Sequence, residues 1–392
     1  MQPRGRRSFL KSSAAGSSFI LLDSRTAFGS RANSAPEIGL IGCGSRGTWI
    51  VPFFQEYGAE VVALADVFSD NLEATKSKIK SPSARTYVGR NAYRELISSK
   101  LDGVVIEVPP YFFPEMVRTA VDARKHVYLA KPVAVDVPGC RVIEECGRKA
   151  EGKTSLWVDF QIRTSNAFQE AARRVHNGDL GEIVFGQTAF LGYWQPIRQG
   201  PGMSKDEYRL RNWYNDRALG GGIVVNRDIH NIDGVQMFLK AHPVRAIGTG
   251  GRKVTKYPGD CFDHYLITYW YANGFKLELA SADFLRDYGH IILKIHGAAG
   301  TLDTQYNGPV RITGLNPWPG VDRDPTMNRG TSVNARIFLE SIRSGKPVNN
   351  AAESVTSTLA SMLGQMAAHA GRELTWDEMM KSTQRYEVEL AL

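Results

Sequence analysis

Between residues 36 and 160 the chain alternates short, strongly apolar runs with longer amphipathic segments. The short runs predict buried strands, and the segments between them repeat apolar residues at helical spacing. Alternation of strand and helix is typical of a parallel, doubly wound sheet of the α/β class. The predicted strands are 37–41, 61–65, 103–108, 126–129 and 155–160, and the predicted helices are 48–57, 91–99, 113–124 and 137–150.

After residue 160 strands dominate the pattern. Asn273-Gly274 separates two apolar runs and predicts a tight hairpin. We therefore predict a second domain of the α+β class, residues 161–392, with a large, mainly antiparallel open β-sheet. Its helices within 334–392 are expected to pack back on the rest of the chain. The other predicted elements are a helix at 167–176 and strands at 182–191, 244–248, 263–271, 275–282 and 290–296.

Residues 1–35 differ from both domains. Arg6 and Arg7 are followed by Ser-Phe-Leu-Lys and by a weakly apolar stretch, 14–22, that is too short to span a bilayer. The segment resembles a twin-arginine (Tat) export signal. It predicts export to the periplasm, the cell envelope or the medium. Cleavage after Ala27/Gly29 and cleavage after Ala32/Ser34 both remain open.

The formal net charge of the chain is +8, and much of it lies in this N-terminal segment. Without residues 1–35 the chain holds 42 Lys and Arg against 39 Asp and Glu. This balance predicts no nucleic-acid partner and no membrane surface after export. None of the four cysteines forms a C-x-x-C pair, so we predict no metal site, no redox pair and no disulfide framework.

Gly42, Gly44 and Gly47 form a G-x-G-x-x-G motif between the first predicted strand and helix. In a Rossmann domain these glycines allow the tight turn, the approach of a pyrophosphate and close helix–strand packing. Asp66 ends the second strand, about 20 residues later, where an acid binds the ribose hydroxyls and favours NAD over NADP. A solvent-facing Asp is the alternative. The predicted cofactor contacts are Gly42, Cys43, Gly44, Ser45, Arg46, Gly47, Asp66, Pro109 and Lys131.

Lys131 follows the strand at 126–129 and precedes Pro132. Because ligands of parallel sheets bind beyond the carboxyl ends of the strands, this lysine is placed to face the nicotinamide pocket. Its ammonium would hold and polarise a substrate hydroxyl, and burial would lower its pKa toward proton exchange. From spacing alone, a surface lysine beside a turn proline is an equal alternative.

A glycine run, Gly220 to Gly222, leads into a predicted helix that carries Asn226 and His230 one turn apart. Asp233 follows on the same helix. A histidine in this setting either transfers protons or serves a structural role, and the residues alone favour the structural role.

Together these segments resemble the Gfo/Idh/MocA oxidoreductase family over residues 37–390. That family carries Glu-Lys-Pro and G-G-G…D-x-x-x-H segments. The resemblance implies that Lys131 and His230 are catalytic and that the second sheet pairs subunits in a homo-oligomer, a dimer or a tetramer. This chain has Ala130 in place of the family's Glu and Asn226 in place of its Asp. It therefore lacks one tuning charge beside the lysine and one beside the histidine.

The substrate predicted for this site is a carbohydrate or polyol, because aromatic faces combined with Arg, Asn and Gln suit hydroxyls and C–H faces together. Ordinary packing and surface arginines are the alternative for each residue. Asp159, Tyr193, Arg211 and Asn212 are further pocket candidates. The predicted substrate contacts are Lys131, Gln161, Arg163, Trp194, Trp213, Tyr214, Asn226 and His230.

Three functions fit the sequence. The first is an NAD-dependent oxidoreductase that transfers hydride between the cofactor and a sugar, glycoside or polyol. The second is a redox-neutral glycoside hydrolase or lyase that acts through a transient keto-sugar, because an exported enzyme benefits from retaining its NAD. The third is a non-catalytic NAD- and sugar-binding protein, suggested by Ala130 and Asn226.

Overall fold

The computed structural model describes residues 35–193, 197–286 and 288–391. All but the last residue of the predicted export signal, 1–35, and the predicted substrate contact Trp194 lie outside the described residues. The predicted parallel sheet is confirmed: six strands all run parallel in the order β3-β2-β1-β4-β5-β6. They are β1 Glu37–Ile41, β2 Glu60–Asp66, β3 Arg85–Val88, β4 Gly103–Ile106, β5 His126–Leu129 and β6 Leu156–Val158.

Helices connect these strands and cover both faces of the sheet. The last of them, α5, begins where the Asp136 carboxylate accepts a hydrogen bond from the Gly139 amide at 2.7 Å, with Pro138 in its first turn. Helix α2 and strand β3 were not predicted from the sequence because their residues are mostly polar. The helices are α1 Ser45–Glu56, α2 Ser69–Lys78, α3 Ala92–Ser98, α4 Phe113–Asp122 and α5 Val137–Ala150.

A second sheet of nine strands follows, in the order β14-β13-β12-β11-β7-β10-β9-β8-β15. It is antiparallel except between β7 and β10, which confirms the predicted architecture. Residues Asn273 and Gly274 turn β9 into β10, with φ of 86° at the glycine. The strands are β7 Ile183–Leu191, β8 Pro243–Gly251, β9 His264–Tyr271, β10 Lys276–Ala282, β11 His290–Gly297, β12 Gly300–Gln305, β13 Val310–Gly314, β14 Trp318–Val321 and β15 Leu374–Thr375.

The C-terminal helices return to the first sheet. In α11, Phe338 packs edge-on against Phe54 and Tyr128, with ring centroids 6.2 and 5.6 Å away. Helix α12 is buried along most of its length. The helices are α6 Gln161–Thr164, α7 Asn166–His176, α8 Lys205–Arg211, α9 Arg217–Gly220, a π-helical turn Val224–Asp228 leading into α10 Ile229–Leu239, then α11 Thr326–Ser344, α12 Ala351–Ala370 and α13 Trp376–Met380.

Within the described ranges, no helix combines the length and apolarity that a bilayer crossing requires. The same residues contain no group of three or more His, Cys, Asp or Glu side chains arranged to hold a metal ion. The cysteines are buried and not bonded to one another: Cys43, Cys140, Cys146 and Cys261.

Candidate active site

The glycine turn between β1 and α1 is built so that two of its glycines admit no side chain. Gly42 has a φ of 94°, which L-residues rarely adopt, and a Cβ there would lie 2.6 Å from the Glu107 carbonyl oxygen. A Cβ on Gly47 would lie 1.9 Å from the Gly42 carbonyl oxygen. The close approach of helix and strand therefore depends on both residues.

Gly44 differs, because no atom lies within 4 Å of the position its Cβ would take. The open side of this glycine faces a cavity of about 580 Å³, which the N-terminal residues of α1 also line. Free backbone amides and the helix dipole make such an end a favourable place for an anion. The turn thus fits the diphosphate of a dinucleotide.

Asp66, at the end of β2, is oriented by the chain around it. Its Oδ2 accepts a hydrogen bond from the Cys43 amide at 2.6 Å, and its Oδ1 accepts one from the Phe68 amide at 2.8 Å. Burial raises the pKa of this carboxyl, and these hydrogen bonds oppose the rise. Since Asp66 also lines the cavity, its carboxylate is placed to accept ribose hydroxyls and to repel a 2′-phosphate.

The second domain and the C-terminal segment line one side of this cavity. Arg198 donates a hydrogen bond from Nη2 to the Ser45 hydroxyl of the glycine turn. The Asn212 side chain accepts a hydrogen bond from the Arg198 amide at 2.7 Å and donates one to the Arg198 carbonyl oxygen at 2.8 Å. Arg211 pairs with Asp70 at 2.9 Å and lies 3.8 Å above the Phe68 ring. Leu390, from the C-terminal segment, joins the wall of the cavity. A ligand at the turn is therefore enclosed from both domains.

Lys131 follows β5 and is half-buried. Its Nζ donates a hydrogen bond to the carbonyl oxygen of Asn226, within the π-helical turn, at 2.5 Å. Burial, with the nearby Arg46 charge, lowers the pKa of this lysine to about 7. The side chain therefore holds and releases a proton near neutral pH.

His230 lies on α10, one turn after Asn226. Its ring centroid is 5.3 Å from that of Tyr306, and its Nδ1 is buried without a hydrogen-bond partner in the described chain. Burial, with the charges of Lys131 and Arg46, holds the pKa of the imidazole well below its usual value, so the ring is neutral at neutral pH. The Asn226 amide is turned away to Gly220, whose carbonyl oxygen it contacts at 3.2 Å.

Two carboxylates accompany these groups. The Nε of Arg46 lies 3.1 Å from Oε2 of Glu107, and its Nη2 contacts Asp159. The Glu107 side chain is buried, and this burial raises its pKa to about 7, against the opposing charge of Arg46. Arg46 and Glu107 also line the 580 Å³ cavity, so the charged cluster borders the cofactor space.

Beyond Tyr214, which lines the large cavity, lies a second space of about 20 Å³. Asn226, Arg227, Tyr257 and Asp283 form its polar wall. Since Lys131 contacts the Asn226 carbonyl, this small space lies on the substrate-domain side of the lysine.

Apart from Lys131, Asn226 and His230, the predicted site residues that the structure describes fall into three groups. Gln161 is buried and donates to Asp159 at 2.6 Å, and Arg163 is held by Asp233 at 2.8 Å, so both are bound within the protein. The Cys43 thiol points toward the Ala65 carbonyl oxygen, 3.8 Å away, and Gly47 packs behind the turn. The predicted residues that line the large cavity are Gly42, Gly44, Ser45, Arg46, Asp66, Pro109, Trp213 and Tyr214.

Several residues of the site carry no prediction from the sequence, among them Glu107, Arg198, Tyr306 and Leu390. Glu107 had a local signal, because a carboxylate directly after a buried parallel strand lies at the ligand edge of the sheet. The other three reach the site from distant loops and the C-terminal segment. No local pattern marks them.

Both halves of the chain match known protein families. Residues 37–160 match the family described as oxidoreductase family, NAD-binding Rossmann fold, and residues 168–303 match the GFO/IDH/MocA C-terminal domain. An uncharacterized oxidoreductase of Streptococcus pneumoniae is 27% identical over 216 residues, 54% of this chain and 53% of that protein. The chain thus matches about half the length of this curated relative.

Two further similarities concern named activities. The 2,7-anhydro-N-acetylneuraminate hydratase of Escherichia coli K12 is 30% identical over 166 residues, 42% of this chain and 41% of the relative. The crystal structure of aldose-aldose oxidoreductase from Caulobacter crescentus, complexed with glycerol, superposes with a TM-score of 0.72 at 19% identity. That superposition covers 87% of this chain and all of the other, and it shows a shared fold. By its two matched domains, the chain belongs to the Gfo/Idh/MocA oxidoreductase family, with an NAD-binding Rossmann domain at its N-terminal end.

Proposed function

We propose that this protein transfers hydride between NAD and a CH–OH carbon of a sugar, glycoside or polyol. One observation carries the proposal: Arg46, which lines the cavity at the glycine turn, belongs to the same charged cluster as Lys131 and His230. NAD, when bound, supplies a hydride acceptor or donor. The protein supplies the groups that bind the substrate oxygen and carry its proton.

In the oxidising direction, the substrate loses a hydride from carbon and a proton from its hydroxyl, and a carbonyl forms. The Lys131 ammonium donates a hydrogen bond to the substrate oxygen and draws its electrons. The neutral imidazole of His230 accepts the hydroxyl proton, which a positively charged ring cannot do. Reduction runs through the same groups in reverse.

The substrate class is proposed from the wall beyond Lys131. Asn226, Tyr257 and Asp283, an amide, a phenol and a carboxylate residue, belong to the wall of the small space on that side. Hydroxyl-rich ligands bind to such a mixture because each hydroxyl both donates and accepts hydrogen bonds. The similar aldose-aldose oxidoreductase of Caulobacter crescentus supports the same class.

A redox-neutral reaction is the second candidate, favoured by the cover that Arg198, Arg211 and Leu390 give to one side of the cavity. A cofactor held behind these residues is suited to accept and return hydride within one turnover. The similarity to a hydratase supports this version, because that name denotes addition or removal of water without net oxidation or reduction. In it, transient oxidation of the sugar acidifies a neighbouring C–H bond, and a glycosidic or hydroxyl group leaves.

The purified protein distinguishes these candidates. We expect near-UV absorbance to reveal bound nicotinamide, and single sugars and glycosides to change the absorbance of its reduced form. Net formation of NADH with one sugar supports the first candidate. Release of an aglycone or water without net NADH supports the second. Bound cofactor without turnover across a broad glycoside panel would overturn both and leave a binding protein.

Arg198 provides a test of cofactor retention. We expect Arg198→Ala to weaken NAD binding by about tenfold, because a charge-assisted contact at the diphosphate end of the cavity is lost. Isothermal titration of the NAD-free protein measures this change. The control is Arg336→Ala, an arginine paired with Glu340 on the exposed side of α11. An unchanged Kd for Arg198→Ala would contradict its placement.

We also propose that the protein is exported through the Tat pathway, on the strength of Arg6-Arg7 and the residues that follow. Replacing both arginines by lysine keeps the charge and is expected to retain the protein in the cytoplasm. Cell fractionation with an antibody to the folded domain measures this. Unchanged export of the double variant would contradict the proposal.

A further inference from the structure

Three residues stand side by side where β4, β5 and β6 leave the first sheet. Ile106, Leu129 and Val158 are register partners across these strands. The residues that follow them, Glu107, Ala130 and Asp159, continue this register: the Ala130 amide donates to Ile106 at 3.2 Å, and the Asp159 amide to Leu129 at 2.9 Å. Ala130 is therefore flanked by a carboxylate on each side.

Arg46 joins the two carboxylates across the alanine. Its guanidinium lies 3.1 Å from Glu107 through Nε and contacts Asp159 through Nη2. Neighbouring strands are about 4.8 Å apart, so Glu107 and Asp159 are separated by two strand spacings. The methyl group of Ala130 leaves the space between them free for the guanidinium. A longer side chain at residue 130 would compete for this space.

The same carboxylates act on Lys131, the residue after Ala130. The charges of Glu107 and Asp159 favour its ammonium form, while burial, Arg46 and Arg227 oppose it. His230 also faces the lysine and is neutral. Glu107 and Asp159 balance Arg46 and Lys131 in formal charge, so the loss of either carboxylate leaves an excess positive charge beside the ammonium.

Glu107 has a further feature that its salt bridge leaves unexplained. Its side chain is 1% exposed, and Oε1 makes no hydrogen bond with the described residues. A buried carboxylate oxygen without a partner destabilises the folded state, because the hydrogen bonds it made to water are not replaced. A carboxylate whose only role was to hold Arg46 would gain from a partner for this oxygen. Glu107 follows β4, the strand paired with the β5 strand that precedes Lys131, so the charge on this oxygen acts on the ammonium.

We propose that Glu107 and Asp159, joined by Arg46, form the acidic partner of Lys131 and supply from both neighbouring strands the carboxylate that is absent at residue 130. Glu107 and Asp159 are thus positioning residues, which act on the reaction through the lysine. The inference rests on the proposed function, in which Lys131 binds the substrate oxygen.

The test is the titration of Lys131 in the NAD-free protein. Acetic anhydride acetylates only the neutral amine, and mass spectrometry of the peptide containing Lys131 gives the pH of half-maximal labelling. In Glu107→Gln, loss of the negative charge destabilises the ammonium, so we expect this pH to fall by about one unit. Glu115→Gln is the matched control, because Glu115 lines the same cavity but pairs with Arg94 at the exposed surface. We expect no shift in the control.

A second comparison separates a charge effect from a structural one. In Glu107→Ala combined with Ala130→Glu, the carboxylate moves to the neighbouring strand. We expect the pH of half-maximal labelling to return most of the way to the wild-type value. A salt bridge of purely structural value would not be restored in this way. Should Glu107→Gln fail to fold, Asp159→Asn removes the other charge and is expected to shift the titration in the same direction.

An unshifted titration in folded Glu107→Gln or Asp159→Asn would overturn the inference. Failure of the proposed function gives a different result: either no sugar or glycoside of the panel is turned over, or Lys131→Ala keeps full turnover, whatever the titration shows. The two failures are therefore distinguishable.

Discussion

Replacing Lys131 by alanine is expected to lower kcat by about 10²- to 10⁴-fold, the usual contribution of a positioned acid–base group. The ammonium contacts the Asn226 carbonyl oxygen of the second domain, and its pKa of about 7 allows proton exchange at neutral pH. Alanine removes both the hydrogen bond and the charge. Steady-state kinetics on the sugar identified by the panel measure the loss.

The variant should keep its cofactor, because Lys131 does not line the 580 Å³ cavity. Bound NAD, measured by near-UV absorbance, separates lost chemistry from lost binding. Lys294→Ala is the control, since Lys294 pairs with Asp303 on the second sheet, away from the cluster. Full turnover by Lys131→Ala would remove the lysine from the mechanism.

Alanine at two positions of the glycine turn is expected to affect stability differently, lowering it at Gly47 and leaving it unchanged at Gly44. Gly47→Ala places a Cβ 1.9 Å from the Gly42 carbonyl oxygen, so the turn must shift. Overpacking of this kind costs about 1–3 kcal/mol, and we expect a lower Tm together with loss of NAD binding. Gly44→Ala meets no atom within 4 Å and should fold with unchanged Tm.

The same Gly44→Ala variant is nevertheless expected to bind NAD at least about tenfold more weakly, because its methyl group occupies the open side of the turn. Thermal unfolding and calorimetric titration on both variants measure the two effects. The pair serves as its own control, since each variant adds one methyl group. Wild-type NAD affinity in Gly44→Ala would contradict a diphosphate at this turn.

The local sequence pattern was sufficient to predict much of the secondary structure of the first domain. Strand β5 and helix α5 have the predicted bounds, because a buried apolar run and a proline at the helix start mark their ends. The geometry of the glycine turn is predictable from its own residues, since only glycine avoids a clash at residues 42 and 47. In these places local preference and tertiary structure agree.

The remaining parts depend on contacts between distant residues. Strand β3 is an exposed edge with few apolar residues, so its pairing with β2 gives no periodic signal. Arg163 was predicted to bind substrate, but its guanidinium is held by Asp233, a pairing that the sequence does not reveal. The bridge from Arg46 to Asp159 likewise joins the two ends of the Rossmann domain.

The π-helical turn at Val224–Asp228 shows a further limit of pattern. The sequence predicts an ordinary helix with Asn226 beneath His230. Instead, the Asn226 side chain contacts Gly220, and its backbone carbonyl binds Lys131. Helical spacing gives the order of side chains around an axis, but it does not predict an inserted wide turn.

The most direct test of this account is a crystal structure with NAD⁺ bound. We expect the diphosphate on the amides of the Gly42–Gly47 turn, the adenosine ribose on Asp66, and the nicotinamide C4 within about 5 Å of the Lys131 Nζ, as hydride transfer to a substrate between them requires. A nicotinamide ring directed away from Lys131 and His230, or a dinucleotide bound elsewhere, would contradict the account.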